Sequence, residues 1–275
     1  MTNITSITSA TNPLIKQITK LKTPHGRKKD NLFICEGLKL CLESITKHTS
    51  THILMSNSFY TSQTFQHTIA PLLPNLNPAT HIYTMPDSLF NKCASTDSPQ
   101  GIITICPPLD IPNHSPVATA TLTNAQFILL CDDVADPGNL GTIIRTADSA
   151  GVDAIILSNN SADIYNPKTV RSTMGSLFNV PIIRCNLDEF VQNNNKFTYI
   201  ATSLYNSTDI FSLTLAKNAT PALIVGNEAN GIHDSLLNIA NHKVIIPIYG
   251  NAESLNVAVA TGIALYQIKS LIKVG

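Results

Sequence analysis

Short apolar runs alternate along the chain with segments of helical spacing, and the alternation is interrupted once, near residue 110. LFICEGLKLCLESI (32–45) begins as a strand and turns into a helix with Leu38, Leu42 and Ile45 three to four residues apart. HILMS (52–56), a helical stretch near 61–70, HIYTM (81–85) and SPQGIITIC (98–106), a turn followed by a strand, continue the pattern. Strands alternating with helices predict a small α/β sandwich over residues 1–106. The next segment, PPLDIPNHSPVATATLT (107–123), is rich in Pro, Thr and Ala without apolar periodicity, and reads as a linker.

A second α/β region is expected over 124–275. It starts with FILLCDD (127–133) and continues through DAIILS (153–158), NVPIIR (179–184), FTYIATS (197–203), PALIVG (221–226) and KVIIPI (243–248). Six short apolar runs with helices between them predict a mainly parallel sheet buried on both faces. The last helix is unusual. It is expected to start at Ser254 as N-cap, with Asn256 in its first turn, and its next residues include Ala258, Ala260, Gly262 and Ala264. An ordinary surface helix carries larger apolar residues on one face and charges on the other. Small residues here predict that another backbone passes close by.

Composition narrows the class. With 275 residues the chain can hold one large or two modest cores, and 43% apolar against 13% charged residues describes a soluble globular protein. No apolar run approaches the roughly 18–20 residues of a membrane span, and MTNITSITSATNPLIK lacks the order of a signal peptide, so a cytoplasmic location is expected. The six cysteines form no CxxC pair and no Cys/His cluster at zinc spacing; buried reduced thiols, and no metal site, are expected. The formal net charge is zero, but residues 1–47 hold eight basic against three acidic side chains and the remainder ten against fifteen. KQITKLKTPHGRKK (16–29) makes Lys16, Lys20, Lys22, Arg27, Lys28 and Lys29 candidate phosphate contacts, with a solubilising, partly disordered leader as the alternative.

A parallel α/β sheet binds its ligand at the carboxyl ends of its strands. The loops there contain no GxGxxG, no GxxxxGK[ST] and no GxSxG, which argues against a dinucleotide fold, a P-loop and an α/β-hydrolase. What they do carry is Asn139, expected to cap a helix running through Arg145 to Gly151, then Gly226-Asn227-Glu228, then Ser254 and Asn256.

Three motifs in order, NLGTIIR (139–145), LIVGNEANGI (223–232) and IPIYGNAESLNVAVATG (246–262), resemble the SpoU (TrmH) family of RNA ribose 2′-O-methyltransferases in the SPOUT superfamily. VRSTMGSLFNVPI (170–182) is similar to a further family element, and FICEG (33–37) and SPQGI (98–102) resemble the substrate-binding module that often precedes the catalytic domain. The resemblance implies a small N-terminal α/β RNA-binding domain and a C-terminal SPOUT domain, with a deep trefoil knot formed by the small-residue helix. It implies S-adenosylmethionine as cofactor, held largely by backbone groups, with Gly226, Ile246, Leu255 and Asn256 around it and Thr202 and Ser203 lining the same pocket. It also implies a homodimer, with Val257, Ala258 and Gly262 as candidate interface positions.

The family usually gives Arg145 the task of activating the ribose hydroxyl. A guanidinium is a poor base, so a grip on the adjacent phosphate and electrostatic stabilisation of the developing alkoxide is the more comfortable role. Asn139, Glu228, Ser254 and Asn256 would position Arg145 and substrate, with Glu228 paired to Arg145, and Arg171 could touch RNA. By the same resemblance 23S ribosomal RNA is the first-choice substrate and transfer RNA the second. Base methylation, and an RNA-binding protein that kept the fold without the activity, remain alternatives.

Overall fold

A computed structural model of the chain describes residues 4–273; residues 1–3 and 274–275, the outer ends of the two expected domains, lie outside the described residues. The chain divides into one unit formed by Met1–Pro108 with Asp163–Phe178 and another formed by Leu109–Ala162 with Asn179–Gly275. No helix among the described residues is long and apolar enough to cross a membrane.

The first unit runs β1 (Ile4–Ser6), α1 (Pro13–Leu21), α2 (Pro24–Asp30), β2 (Phe33–Glu36), α3 (Leu38–Thr46), β3 (His52–Ser56), α4 (Asn57–Tyr60), α5 (Gln63–Thr68), β4 (His81–Met85), α6 (Asp87–Cys93) and β5 (Ile102–Cys106). Its five-stranded sheet has the order β1-β4-β3-β5-β2. The β1, β4 and β3 strands are parallel, and β5 is antiparallel to both its neighbours. The basic leader is folded into two helices. Asn12 caps α1 by accepting from the Leu14 N–H, and Pro13 opens the helix with a preset φ. Ile15, Ile18 and Leu21 enter the core with Leu54 and Phe90, which leaves Lys16 and Lys20 outside.

The second unit contains α7 (Pro116–Asn124), β6 (Ile128–Cys131), α8 (Pro137–Ala150) and β7 (Ala154–Leu157). After α9 (Pro167–Thr173), which belongs to the first unit, come β8 (Ile182–Arg184), α10 (Leu187–Asn193), β9 (Thr198–Thr202), β10 (Thr208–Asp209), β11 (Pro221–Val225), α11 (Asp234–Ile239), β12 (His242–Ile245) and α12 (Val257–Lys273). The seven-stranded sheet has the order β10-β12-β9-β11-β6-β7-β8, and its strand pairs are parallel. All six expected apolar runs are strands of it. They read as continuous apolar stretches because helices cover both faces of a parallel sheet.

Three details depart from the sequence expectations. The 107–123 segment is not a plain linker: α7 is capped by Ser115, whose Oγ accepts from the Ala118 N–H, and Ala118 and Leu122 pack into the core. Lys196 closes its far end on the Leu122, Thr123 and Ala125 carbonyls. The 163–178 segment packs with the first unit: Tyr165 stacks on Phe33 at 4.6 Å, and Asp163 pairs with Arg27 at 2.6 Å. Finally, α12 starts at Val257 and not at Ser254, because Asn256 is its cap; Asn256 Oδ1 accepts from the Ala258 and Val259 N–H groups.

The close neighbour of α12 is α8. A Cβ on Gly262 would stand 3.3 Å from Thr146 Cγ2, so this crossing accepts no larger side chain without displacement. Further along, the Tyr266 hydroxyl donates to the Ser149 carbonyl at 3.3 Å and Lys269 Nζ to the Gly151 carbonyl at 3.2 Å. The lysine also satisfies a carbonyl at the carboxyl end of α8, where a positive charge is favoured.

Candidate active site at the carboxyl ends of the parallel strands

Thr202 ends β9 and Ser203 follows it, Gly226 follows β11 and Ile246 follows β12; these three strands are adjacent in the sheet. The GNEANG stretch after β11 is a closed loop. Asn227 and Gly231 exchange main-chain hydrogen bonds of 2.9 Å in both directions, and Asn227 Oδ1 accepts from Ala229 N and Asn230 N. Gly226 is required by this closure, since a Cβ there would lie 2.3 Å from the Gly231 carbonyl carbon and 2.5 Å from Ile232 N.

Glu228 projects from this loop onto the start of α8. Its carboxylate accepts from Ala135 N at 3.1 Å, Asp136 N at 3.2 Å and Asn139 Nδ2 at 2.9 Å. Asn139 Oδ1 in turn accepts from Asn256 Nδ2 at 3.0 Å, and Asn256 Oδ1 caps α12. A carboxylate can only accept, so Asn139 must turn its amide nitrogen toward Glu228 and its oxygen toward Asn256. That choice obliges Asn256 to donate to Asn139 and to use its own oxygen as the helix cap. One line of hydrogen bonds thereby joins all three motifs. Partial burial pushes the Glu228 pKa up, but the hydrogen bonds from Asn139, Ala135 and Asp136 outweigh it and hold the carboxyl below its ordinary range.

Two expected roles change. Asn139 does not cap α8; Asp136 does, accepting from Asn139 N at 2.8 Å. Glu228 is not paired with Arg145, because its two oxygens are taken by the α8 entry and Asn139. Arg145 is exposed on α8, and among the described residues its guanidinium has no ion-pair or hydrogen-bond partner. Gly151 ends α8 in the left-handed conformation, φ 68°, as expected.

The cofactor positions can be tested against the local bonding. Thr202 Oγ1 donates to the Ile224 carbonyl at 3.3 Å, and Ser203 Oγ is engaged with Tyr205 in its own turn. Both hydroxyl protons are used inside the fold, and each oxygen keeps acceptor capacity. With those protons committed, donors to a ligand here would come from main-chain groups at the ends of β9, β11 and β12, which fits a nucleoside cofactor held largely by backbone. Leu255 is exposed beside the α12 cap, and Ser254 is exposed without being a helix cap.

Sequence reasoning missed His233, Asp132 and Asp133. Asp132 and Asp133 follow β6, and His233 follows the GNEANGI motif. His233 gives both its main-chain N–H (2.8 Å) and Nδ1 (2.9 Å) to the buried Asp132, while Asn227 Nδ2 donates to the Asp133 carbonyl at 2.8 Å. The hydrogen bond and charge of Asp132, with Asp133 farther off, raise the His233 pKa. One ligand atom from each of the three residues falls within 4.8 Å of the others. Their oxygens already have partners, however: Asp133 takes the Ser158 hydroxyl at 2.6 Å and Asn160 Nδ2 at 3.2 Å. The paired acids at the strand end were the available signal.

In the first unit the basic residues split into two groups. Lys16, Lys20, Lys28 and Lys29 are exposed. Arg27 is only 5% exposed, donating to Asp163 and to the Leu21 carbonyl, and Lys22 Nζ donates to the Ala94 carbonyl at 2.6 Å. Both are internal fasteners and not free phosphate contacts. Arg171 is half-buried, with Nη1 buried and without a hydrogen-bond partner.

Comparison with known proteins bears on this arrangement. Residues 126–266 match the model of the SpoU rRNA Methylase family, and residues 12–104 match the MRM3-like substrate binding domain. The chain is 36% identical over 266 residues to the 23S rRNA (guanosine(2553)-2′-O)-methyltransferase RlmP of Bacillus subtilis, covering 96% of this chain and 98% of the relative. It is 29% identical to an uncharacterised tRNA/rRNA methyltransferase of Synechocystis, covering 97% and 94% of the two chains. The crystal structure of an AdoMet-bound rRNA methyltransferase from Sinorhizobium meliloti superposes with a TM-score of 0.82 at 29% identity, over 97% of this chain and 98% of that one. With a substrate-binding domain ahead of a parallel α/β domain, and the three motifs joined at its strand ends, the chain belongs to the SpoU rRNA Methylase family.

Proposed function

We propose that the protein transfers a methyl group from S-adenosylmethionine to a ribose 2′-hydroxyl of structured RNA, with 23S ribosomal RNA as substrate. The observation that carries this reading is the continuous Glu228–Asn139–Asn256 line, which joins the three family motifs through side chains of matching polarity. The near full-length similarity to RlmP supports the ribosomal substrate. The cofactor would lie against the ends of β9, β11 and β12 and supply an electrophilic methyl group. Arg145, exposed on α8 and without a partner among the described residues, can take an RNA phosphate and stabilise negative charge growing on the ribose oxygen. Asn139 and Asn256 fix the entry of α8 against the start of α12, and the lysines of α1 and α2 supply phosphate contacts that carry no sequence information.

The same reading takes the 246–257 stretch and α12 as the threaded part of a trefoil knot, and the protein as a homodimer. Ala258 is buried and Gly262 faces α8 within the chain. The outward positions Val259 (53% exposed) and Tyr266 (55%) are therefore the better interface candidates on α12. The test is methyl transfer in vitro from isotopically labelled S-adenosylmethionine to ribosomal RNA from cells lacking the gene. The label is expected on a ribose oxygen of the large-subunit RNA. Label on transfer RNA alone would redirect the substrate, label on a base would redirect the chemistry, and no label with retained cofactor binding would leave an RNA-binding protein.

A further inference from the structure

Between β11 and α11 the chain crosses the end of β6, and it is fixed there at three places. At its far end His233 gives two hydrogen bonds, from N and Nδ1, to the single carboxylate of Asp132. At its near end Asn227 Nδ2 holds the Asp133 carbonyl at 2.8 Å. Between them Glu228 reaches Ala135, Asp136 and Asn139. All three anchor points lie in one short stretch, 132–139, so the loop is registered on the entry to α8 residue by residue.

From this geometry we infer that His233 is a positioning residue for the methyl-transfer site, acting through the loop on Glu228 and thence on Asn139. The inference rests on the function proposed above. Asp132 is 3% exposed, and the hydrogen bonds to its carboxylate come from His233. A buried carboxylate needs its donors, so removal of the imidazole leaves it half-satisfied and weakens one of the three anchors of the loop. His233 stands at the N-cap position of α11 but makes no side-chain cap there. Its side chain is turned to β6. The ring is exposed on its other edge, which shows that packing is not what holds it. Nor is a cation needed to explain the cluster, since the hydrogen bonds already account for the oxygens of both acids.

Asparagine is the discriminating replacement, because its amide nitrogen can stand where Nδ1 stands and donate to Asp132. The experiment compares the wild type, His233→Ala, His233→Asn, Glu228→Ala and the Glu228→Ala/His233→Ala double variant. It reads kcat for methyl transfer, cofactor affinity by calorimetry and the Asn139 side-chain amide resonance by NMR. His233→Ala is expected to lower kcat on the order of 10-fold, with cofactor affinity within about 2-fold and the Asn139 resonance shifted. His233→Asn is expected to restore most of the rate and the resonance. In the Glu228→Ala background the second substitution is expected to add nothing, as for residues acting through one another. An unshifted Asn139 resonance in His233→Ala, an asparagine variant no better than alanine, or additive losses in the double variant would overturn the inference. A wild type without methyl transfer would overturn the proposed function instead, while the Asn139 resonance would still report on the clasp.

Discussion

Glu228 and Asn139 stand 89 positions apart in the chain and meet through a 2.9 Å hydrogen bond. The bond places a carboxylate at the entry of α8, where it also receives two main-chain N–H groups. A negative charge at a helix N-terminus is favourable, so the contact stabilises the fold as it orders Asn139 for its bond to Asn256.

That double role gives a pH dependence with a defined sign. The Glu228 pKa is lowered in the folded protein, so its contribution to stability is present above its unfolded pKa of about 4.3 and is lost as pH falls through the lower folded value. Denaturant unfolding of the wild type and Glu228→Gln should differ at neutral pH and converge as both are taken into acid. A difference independent of pH would remove the charge from the account.

Gly226→Ala should reduce cofactor affinity by at least about 10-fold, because the new methyl group would meet main-chain atoms of Gly231 and Ile232 that cannot move without opening the loop. Calorimetric titration with S-adenosylmethionine checks this. Unchanged affinity would mean that the ends of β9, β11 and β12 are not the cofactor site.

Arg27 and the exposed lysines should separate cleanly. Arg27→Ala removes the buried partner of Asp163 and is expected to cost on the order of 2–3 kcal/mol of stability in urea unfolding. Alanine at Lys16, Lys20, Lys28 or Lys29 should change stability by less than about 0.5 kcal/mol. Each should instead lower the slope of log affinity for RNA against log salt by about 1. Lysine variants that bind RNA with an unchanged salt slope would place the RNA elsewhere.

Burial raises the pKa of the Cys35, Cys41 and Cys131 thiols, and that of Cys185 to about 11. All six cysteines are buried and free. Aromatic disulfide reagents should therefore label these four only as the protein unfolds. Rapid labelling of any of them in the native state would contradict their placement.

Much of this was legible in the residues. Continuous apolar runs marked the parallel strands because both faces of that sheet are covered, and HILMS and HIYTM matched β3 and β4 residue for residue. The small residues of α12 announced a close crossing, and Gly262 against Thr146 is where it occurs. What escaped depends on contacts far apart in sequence. Helix α7 has a weak apolar period and is completed by Lys196 from another element. The 163–178 segment gains its place from Phe33 and Arg27. In the site, motif order singled out residues that meet in the structure, Glu228, Asn139 and Asn256, but which groups they bond to was not readable from it. Glu228 is a lone carboxylate in its motif, and pairing it with the lone arginine ignored the main-chain donors at the entry of α8. His233 has no motif of its own, and its meaning comes from Asp132, just past the end of β6.

The most direct test of the central claim is nucleoside mass spectrometry of ribosomal RNA from cells with the gene, without it, and complemented with wild type or Arg145→Ala. The account predicts one 2′-O-methylated nucleotide of 23S RNA that disappears with the gene, returns with the wild type and stays absent with Arg145→Ala. An unchanged set of ribose methylations in all four samples would contradict it.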